Sequence, residues 1–147
     1  WNALRVYYLR TIVNNLPYVD YFPTLQNEFV GDKYPLLLEK YQASIAACTV
    51  TTVAKMWEIP AAGSMTFLEV NEKNNAESFG FKDQVNAVFI NEKNYKEKFQ
   101  EYLETCEDPK WGKIAENGRK FVMENLNNDK AVESLVELMQ TALNEKD

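Results

Sequence analysis

The stretch that decides the fold is residues 43–68, which read ASIAACTVTTVAKMWEIPAAGSMTFL. Residues 43–48 are a short, almost continuous apolar run, which is typical of a strand covered on both faces. Threonines that could cap a short helix follow, the helix runs through Ala62, and Gly63 stands where a left-handed helix stop is expected. Residues 65–68 are apolar again, so the stretch predicts an α/β fold with a mostly parallel sheet.

The same alternation extends in both directions along the chain. The further elements are a helix over residues 2–15, a strand over 18–22, a helix over 31–41, a helical turn ending near Gly80 and a strand over 87–90. Three helices then close the chain, beginning at Asn94, at Asp108 and at Asn128. Glu97 stands three residues after Asn94, the spacing of a capping box. Asp108 is the predicted cap of the next helix, and Pro109 follows it at the first helical position.

No internal repeat and no Gly- or Ser-rich linker stands out, so the pattern predicts one domain. The architecture expected for residues 1–147 is a three-layer, Rossmann-like α/β domain with a helical C-terminus. The last helix places Val132, Leu135, Val136, Met139 and Leu143 on one face, opposite a charged and solvated face.

Composition excludes several classes of function. The 147 residues are 46% hydrophobic, enough for a real core, and 16 Lys+Arg against 22 Asp+Glu give a net charge of −6. This acidity argues against nucleic acid or an anionic membrane as a partner. No apolar run approaches the ~20 residues of a membrane-spanning helix, and no secretory signal is present, so a cytoplasmic location is predicted.

The absence of histidine narrows the chemistry further. It removes Ser-His-Asp and Cys-His triads, histidine general bases and most sets of metal ligands. The two cysteines, Cys48 and Cys106, make neither a zinc site nor a disulfide framework. We therefore expect no metal site.

The residues best suited to binding follow the run 43–48. Thr51 and Thr52 precede the predicted helix, Lys55 lies in its first turn, and Glu58 shares a helical face with Lys55. In open α/β sheets ligands bind beyond the carboxyl ends of the strands, where hydroxyls, amides and a lysine suit a phosphate. A carboxylate beside them suits the paired hydroxyls of a ribose, so the set predicts a nucleotide site. The alternative is an ordinary exposed ion pair and a helix cap.

A family resemblance supports the nucleotide interpretation. Residues 55–63, KMWEIPAAG, resemble the Arg/Lys-x-x-Glu-x-x-Ala-x-Gly segment in the C-terminal, donor-binding half of GT-B glycosyltransferases of the group 1 type. The flanks DKYPLLLEKY (32–41) and NAVFI (86–90) are similar to elements on either side of that segment. WGKIAENGRKFV (111–122) resembles the helix that closes such domains. The resemblance covers roughly residues 30–140.

The resemblance implies a domain that binds a nucleotide-diphosphate sugar for transfer of the sugar to an acceptor. Glu58 would hold the ribose hydroxyls, while Lys55, Thr51 and Thr52 would face the diphosphate. Such enzymes need no bound metal, because basic side chains and helix dipoles neutralise the leaving diphosphate. No cofactor other than the donor substrate is implied.

Two more donor-binding residues are carried over from the resemblance. Asn86 would border the donor pocket, within the loop that begins at Gly80. Arg10 stands in Tyr-Tyr-Leu-Arg, which is similar to a Tyr-x-Leu-Arg stretch near the start of this half, and would reach a phosphate.

The chain also departs from the family pattern. Many retaining members carry a glutamate eight positions before the one matched by Glu58, and Val50 occupies that position here. The Gly-rich first strand is missing, and the chain begins at Trp1 in what reads as the following helix. The acceptor-binding N-terminal domain, which supplies the catalytic base of inverting members, is missing as well. We therefore expect the C-terminal half of a two-domain enzyme, inactive alone.

Two other classes of function are alternatives to this one. A non-catalytic α/β protein-interaction module predicts an ordinary surface at Lys55 and Glu58 and a contiguous apolar patch elsewhere. A phosphoacceptor receiver domain requires an Asp just beyond a central strand, whereas Thr49 and Glu69 follow the strands here. We therefore reject the receiver class. Glu69 is expected to be solvated at the end of its strand, and the alternative is a contact with sugar hydroxyls.

Overall fold

The computed structural model describes residues 6–21 and 29–144. Its helices are α1 (Tyr8–Val13), α2 (Tyr34–Leu38), α3 (Lys55–Ala61), α4 (Tyr95–Glu104), α5 (Pro109–Asn125) and α6 (Asn128–Asn144). Its strands are β1 (Ala43–Ala46), β2 (Met65–Glu69) and β3 (Val88–Ile90), and 3₁₀ turns cover Gly31–Lys33 and Ala76–Phe79. Trp1, residues 2–5 of the predicted first helix and Phe22 of the predicted first strand lie outside the described residues.

The three strands form one parallel sheet in the order β1-β2-β3. Ala43 is in register with Met65, and Phe67 with Val88. All five residues of the central strand β2 are buried, as expected for a strand covered on both faces. The predicted α/β class, its parallel sheet and its helical C-terminus are confirmed.

Alternate residues of the strands enter two separate apolar clusters, one on each face of the sheet. Met65 and Phe67 of β2 belong to one cluster, and Leu68 belongs to the other. The first cluster adds residues of α1, α4 and the start of α5, and the second adds residues of α2, α3 and the end of α5. This alternation follows from the two-residue period of a strand and gives the three layers predicted.

The strand predicted over residues 18–22 is wrong for residues 18–21, the part that the structure describes. The Val19 N–H donates to the Leu16 carbonyl at 3.1 Å and closes a turn that contains Pro17. The Tyr18 ring packs edge-on against Phe99 of α4, with 6.5 Å between ring centroids. Aromatic packing and a proline turn therefore replace the strand that the apolar composition predicted.

Two local predictions are confirmed and one is wrong. Gly63 has a φ of +87° and ends α3, and the Asp108 side chain accepts a hydrogen bond from the Lys110 N–H at 2.8 Å. The threonines do not cap α3, which begins at Lys55 after Ala54 without a side-chain cap.

An internal repeat that the sequence analysis missed follows β2 and β3. Both strands lead into the tetrapeptide Asn-Glu-Lys-Asn, at residues 71–74 and 91–94. In the first turn Asn71 Oδ1 accepts from the Asn74 N–H at 3.1 Å, and Asn74 Oδ1 accepts from the Asn71 N–H at 3.2 Å. Asn91 and Asn94 exchange the same pair of bonds, at 3.2 and 2.7 Å.

These turns explain why the predicted capping box at Asn94 and Glu97 is wrong. The Asn94 side chain is already engaged in its turn and also donates to the Phe89 carbonyl at 3.3 Å. It makes no cap hydrogen bond to α4. The equivalent Asn74 donates to the Glu69 carbonyl at 2.8 Å, so each turn is tied to the end of the strand before it.

Candidate functional site

A cleft of about 350 Å³ runs beside β1, the edge strand of the described sheet. Ala43, Ser44 and Ile45 of β1 line it. Helices α2 and α3 contribute to its lining from one layer, and α1 and α4 contribute from the other. It is the place where a ligand could reach side chains from four helices at once.

Arg10 of α1 and Lys55 of α3 both line this cleft. Burial lowers the pKa of Lys55, the positive charge of Arg10 lowers it further, and Glu58 raises it. Within residues 6–21 and 29–144, neither Arg10 nor Lys55 forms a salt bridge. The structure therefore brings two basic side chains, from helices on opposite faces of the sheet, to one cleft, which favours an anion.

Tyr34 of α2 lies within electrostatic range of the same charges. Burial and the Glu58 carboxylate raise the pKa of Tyr34, and Arg10 lowers it. The charges of Arg10 and Glu58 thus both act on Tyr34 and on Lys55, although they come from two distant parts of the chain. Two of the six residues predicted for the site, Arg10 and Lys55, line the cleft together.

Glu58 and the two threonines lie outside the lining of the cleft. Glu58 is exposed, one helical turn after Lys55, and none of the described residues forms an ion pair with it. Thr51 is exposed and Thr52 is half-buried, in the segment between β1 and α3. All three follow β1 along the chain, and Glu58 and Thr51 expose polar groups to solvent.

The structure does not bring Asn86 to this group. It lies at the amino end of β3, and in a parallel sheet this is the edge opposite to the carboxyl end of β1. Asn86 is buried, and its Oδ1 accepts from the Lys82 N–H at 2.7 Å. Its carbonyl oxygen lies only 2.6 Å from where a Cβ on Gly118 would stand. The Asn86 side chain thus braces its own loop, and the backbone of this loop lies close against α5.

Tyrosines line the cleft, although none of them is among the predicted donor-binding residues. Tyr18, Tyr21, Tyr34 and Tyr41 all line the cleft. Burial and the nearby Asp20 raise the pKa of Tyr41. The clustering of tyrosines early in the chain was the available signal, and it does not distinguish core packing from a cleft.

Glu69, expected to be solvated, is instead 2% exposed. Its Oε1 accepts from Asn71 Nδ2 at 3.2 Å, whereas Oε2 and the buried Thr49 Oγ1 have no hydrogen-bond partner in the described part of the chain. Burial raises the pKa of Glu69, the nearby Thr49 hydroxyl and Asn71 amide lower it, and the charge of Glu92 raises it. The expectation failed because Glu69 lies within the central, fully covered strand.

Comparison with protein families, curated proteins and solved structures found no significant match. No group of three or more Cys, Asp or Glu suited to a metal ion occurs among the residues described. None of the helices in the described ranges has the length and apolar character needed to cross a membrane.

Proposed function

We propose that this domain binds a nucleotide-diphosphate sugar and is the donor-binding part of a glycosyltransferase. The observation that supports this most is that Arg10 and Lys55 line the same cleft, without a salt bridge to any described residue. A diphosphate supplies the two negative charges that such a pair accommodates.

The neighbouring residues suit the other parts of the same ligand. Glu58 is one helical turn from Lys55, so its carboxylate can accept hydrogen bonds from two adjacent ribose hydroxyls. The tyrosines of the cleft offer aromatic faces on which a nucleobase can stack. Thr51 and Thr52 would add hydroxyl donors at the phosphate. In a complete enzyme the donor would transfer its sugar to an acceptor held by a further domain.

A calorimetric titration separates these roles. The affinity for UDP, GDP, UDP-sugars and GDP-sugars measures the whole site. The affinity for inorganic pyrophosphate measures the contribution of Arg10 and Lys55 alone. Lys55→Ala or Arg10→Ala should weaken pyrophosphate and nucleotide together. Glu58→Gln should weaken only the nucleotides, by about 1–3 kcal/mol or roughly 5–150-fold.

A comparison of UDP with 2′-deoxy-UDP tests the ribose contact directly. The native protein should prefer UDP, and Glu58→Gln should remove most of that preference. Glu133→Gln is the matched control, because Lys130 and Glu133 are also three residues apart on an exposed helix. No nucleotide binding at all, or equal effects of Glu58→Gln and Glu133→Gln, would refute the proposal.

The alternative is a non-catalytic α/β protein-interaction module, and one observation favours it. Every residue of α6 is exposed, including the apolar face that the sequence predicted. If this alternative holds, substitutions at Lys55 and Glu58 change no ligand affinity, and substitutions on α6 abolish an association.

A further inference from the structure

The final helix is the one long element that is left without packing in the described part of the chain. α6 spans 17 residues, and none of them is buried. At 1.5 Å per residue such a helix is about 25 Å long. Isolated helices of this length are marginal in water, because tertiary packing of the apolar face usually stabilises them. We therefore expect the exposed apolar face of α6 to pack against another surface.

The apolar face of α6 has the spacing of a helix–helix seam. Val132, Val136, Met139 and Leu143 follow one another at intervals of four, three and four residues. Their exposed fractions lie between 45% and 66%. Alternating intervals of four and three are the pattern with which one helix packs along another.

The order of these intervals is the same when read from either end. A second α6 laid antiparallel against the first would therefore place Val132 against the partner's Leu143 and Val136 against the partner's Met139. The seam closes on itself in four apolar layers about a two-fold axis. A parallel pairing would also give four layers, so the spacing alone does not choose the direction. Antiparallel packing also sets the two helix dipoles in opposition, which is favourable.

The apolar area available at the seam lies at the lower limit of what a specific dimer needs. With Leu135, which is 55% exposed at the margin of the seam, five large side chains would be covered on each copy. At roughly 100 Å² each, two copies remove about 1,000 Å² of apolar surface from water, near the lower limit for a specific interface. The charged residues Glu133 and Glu137 are not part of the seam.

We propose that the protein forms a homodimer through an antiparallel pairing of its α6 helices. The proposal does not rest on nucleotide binding, because α6 contributes no residue to the cleft. The dimer has twice the chain mass of 17.0 kDa, about 34 kDa.

Sedimentation equilibrium and light scattering over a range of concentrations test this. The native chain should approach 34 kDa, and Val136→Glu or Met139→Glu should return it to 17.0 kDa, with Kd raised at least about 100-fold by a charge in the apolar seam. Ser134→Glu adds the same charge on the opposite side of the helix and should leave the dimer intact. Because α6 has no buried residue, the unfolding temperature of the core reports that each variant is folded.

The register is tested by cross-linking in a Cys106→Ser background. A mixture of Val136→Cys and Met139→Cys chains should form a disulfide dimer more readily than either chain alone. A monomer at every concentration, a dimer that survives both glutamate variants, or cross-linking of each chain only with itself would overturn the proposal. A monomeric result would leave the α6 face for a different protein.

Discussion

Glu69→Gln should stabilise the protein at neutral pH and have little effect in acid. In the native protein Glu69 is almost fully buried at the end of β2, with Oε2 lacking a hydrogen-bond partner among the described residues. Burial, the largest influence, raises the pKa of this carboxyl above its ordinary value of 4.5. The folded state therefore favours the protonated acid, and ionising it costs free energy.

The sign of the pH dependence follows from the raised pKa. Below pH 4.5 the acid is protonated in both the folded and the unfolded chain, and its contribution to stability is fully present. As the pH rises towards the folded-state pKa, the unfolded chain loses its proton first, so this contribution is lost. The loss is about 1.4 kcal/mol for each unit by which the folded pKa exceeds the unfolded one. Glutamine does not titrate, so the Glu69→Gln variant does not lose this stability as the pH rises.

The size of the effect is set by the buried charge, because glutamine keeps a polar group at the position of Oε2. A buried charged group with incomplete hydrogen bonding costs about 1–3 kcal/mol. Glu69→Gln should therefore raise the free energy of unfolding by about 1–3 kcal/mol at pH 7.5, or the unfolding temperature by about 3–9 °C. At pH 4 the gain should nearly vanish.

Urea and thermal unfolding of both proteins between pH 4 and pH 8 measure this difference. Glu72→Gln is the matched control, because Glu72 lies in the next turn and is exposed. It should show no comparable gain that grows with pH. The reasoning fails if Glu69→Gln destabilises the protein equally at both ends of the range, or if Glu72→Gln reproduces its profile.

Two further predictions concern packing within α5 and the cap that precedes it. Gly118→Ala should destabilise the protein by about 1–3 kcal/mol, because the new Cβ would meet the Asn86 carbonyl oxygen at 2.6 Å, whereas Gly112→Ala meets nothing within 4 Å and should be neutral or stabilising. Equal effects in urea unfolding would contradict this contact. Asp108→Ala should cost about 1 kcal/mol in the same measurement, because it removes the bond to the Lys110 N–H, while Asp108→Asn should retain most of it. A cost shared by both variants would point away from capping.

The order of the elements was predictable because short-range patterns decide it. Apolar runs gave β1, β2 and β3, and Gly63 and Asp108 marked a helix end and a helix start. The wrong predictions concern segments in which the same side chain can adopt more than one local hydrogen-bonding arrangement. Asn94 could cap α4 or close a turn, and the turn prevails because the side chain also ties back to the strand at Phe89.

The sequence by itself determined the α/β class, the parallel sheet and the amphipathic character of α6, because backbone torsions and apolar periodicity act between near neighbours in the chain. Only the tertiary structure decided which polar groups meet. Arg10 and Lys55 line the same cleft, whereas Asn86 lies at the opposite edge of the sheet. Glu69 is buried within the central strand. These outcomes depend on how layers pack across the sheet, and contacts between residues distant in sequence leave no periodic signal.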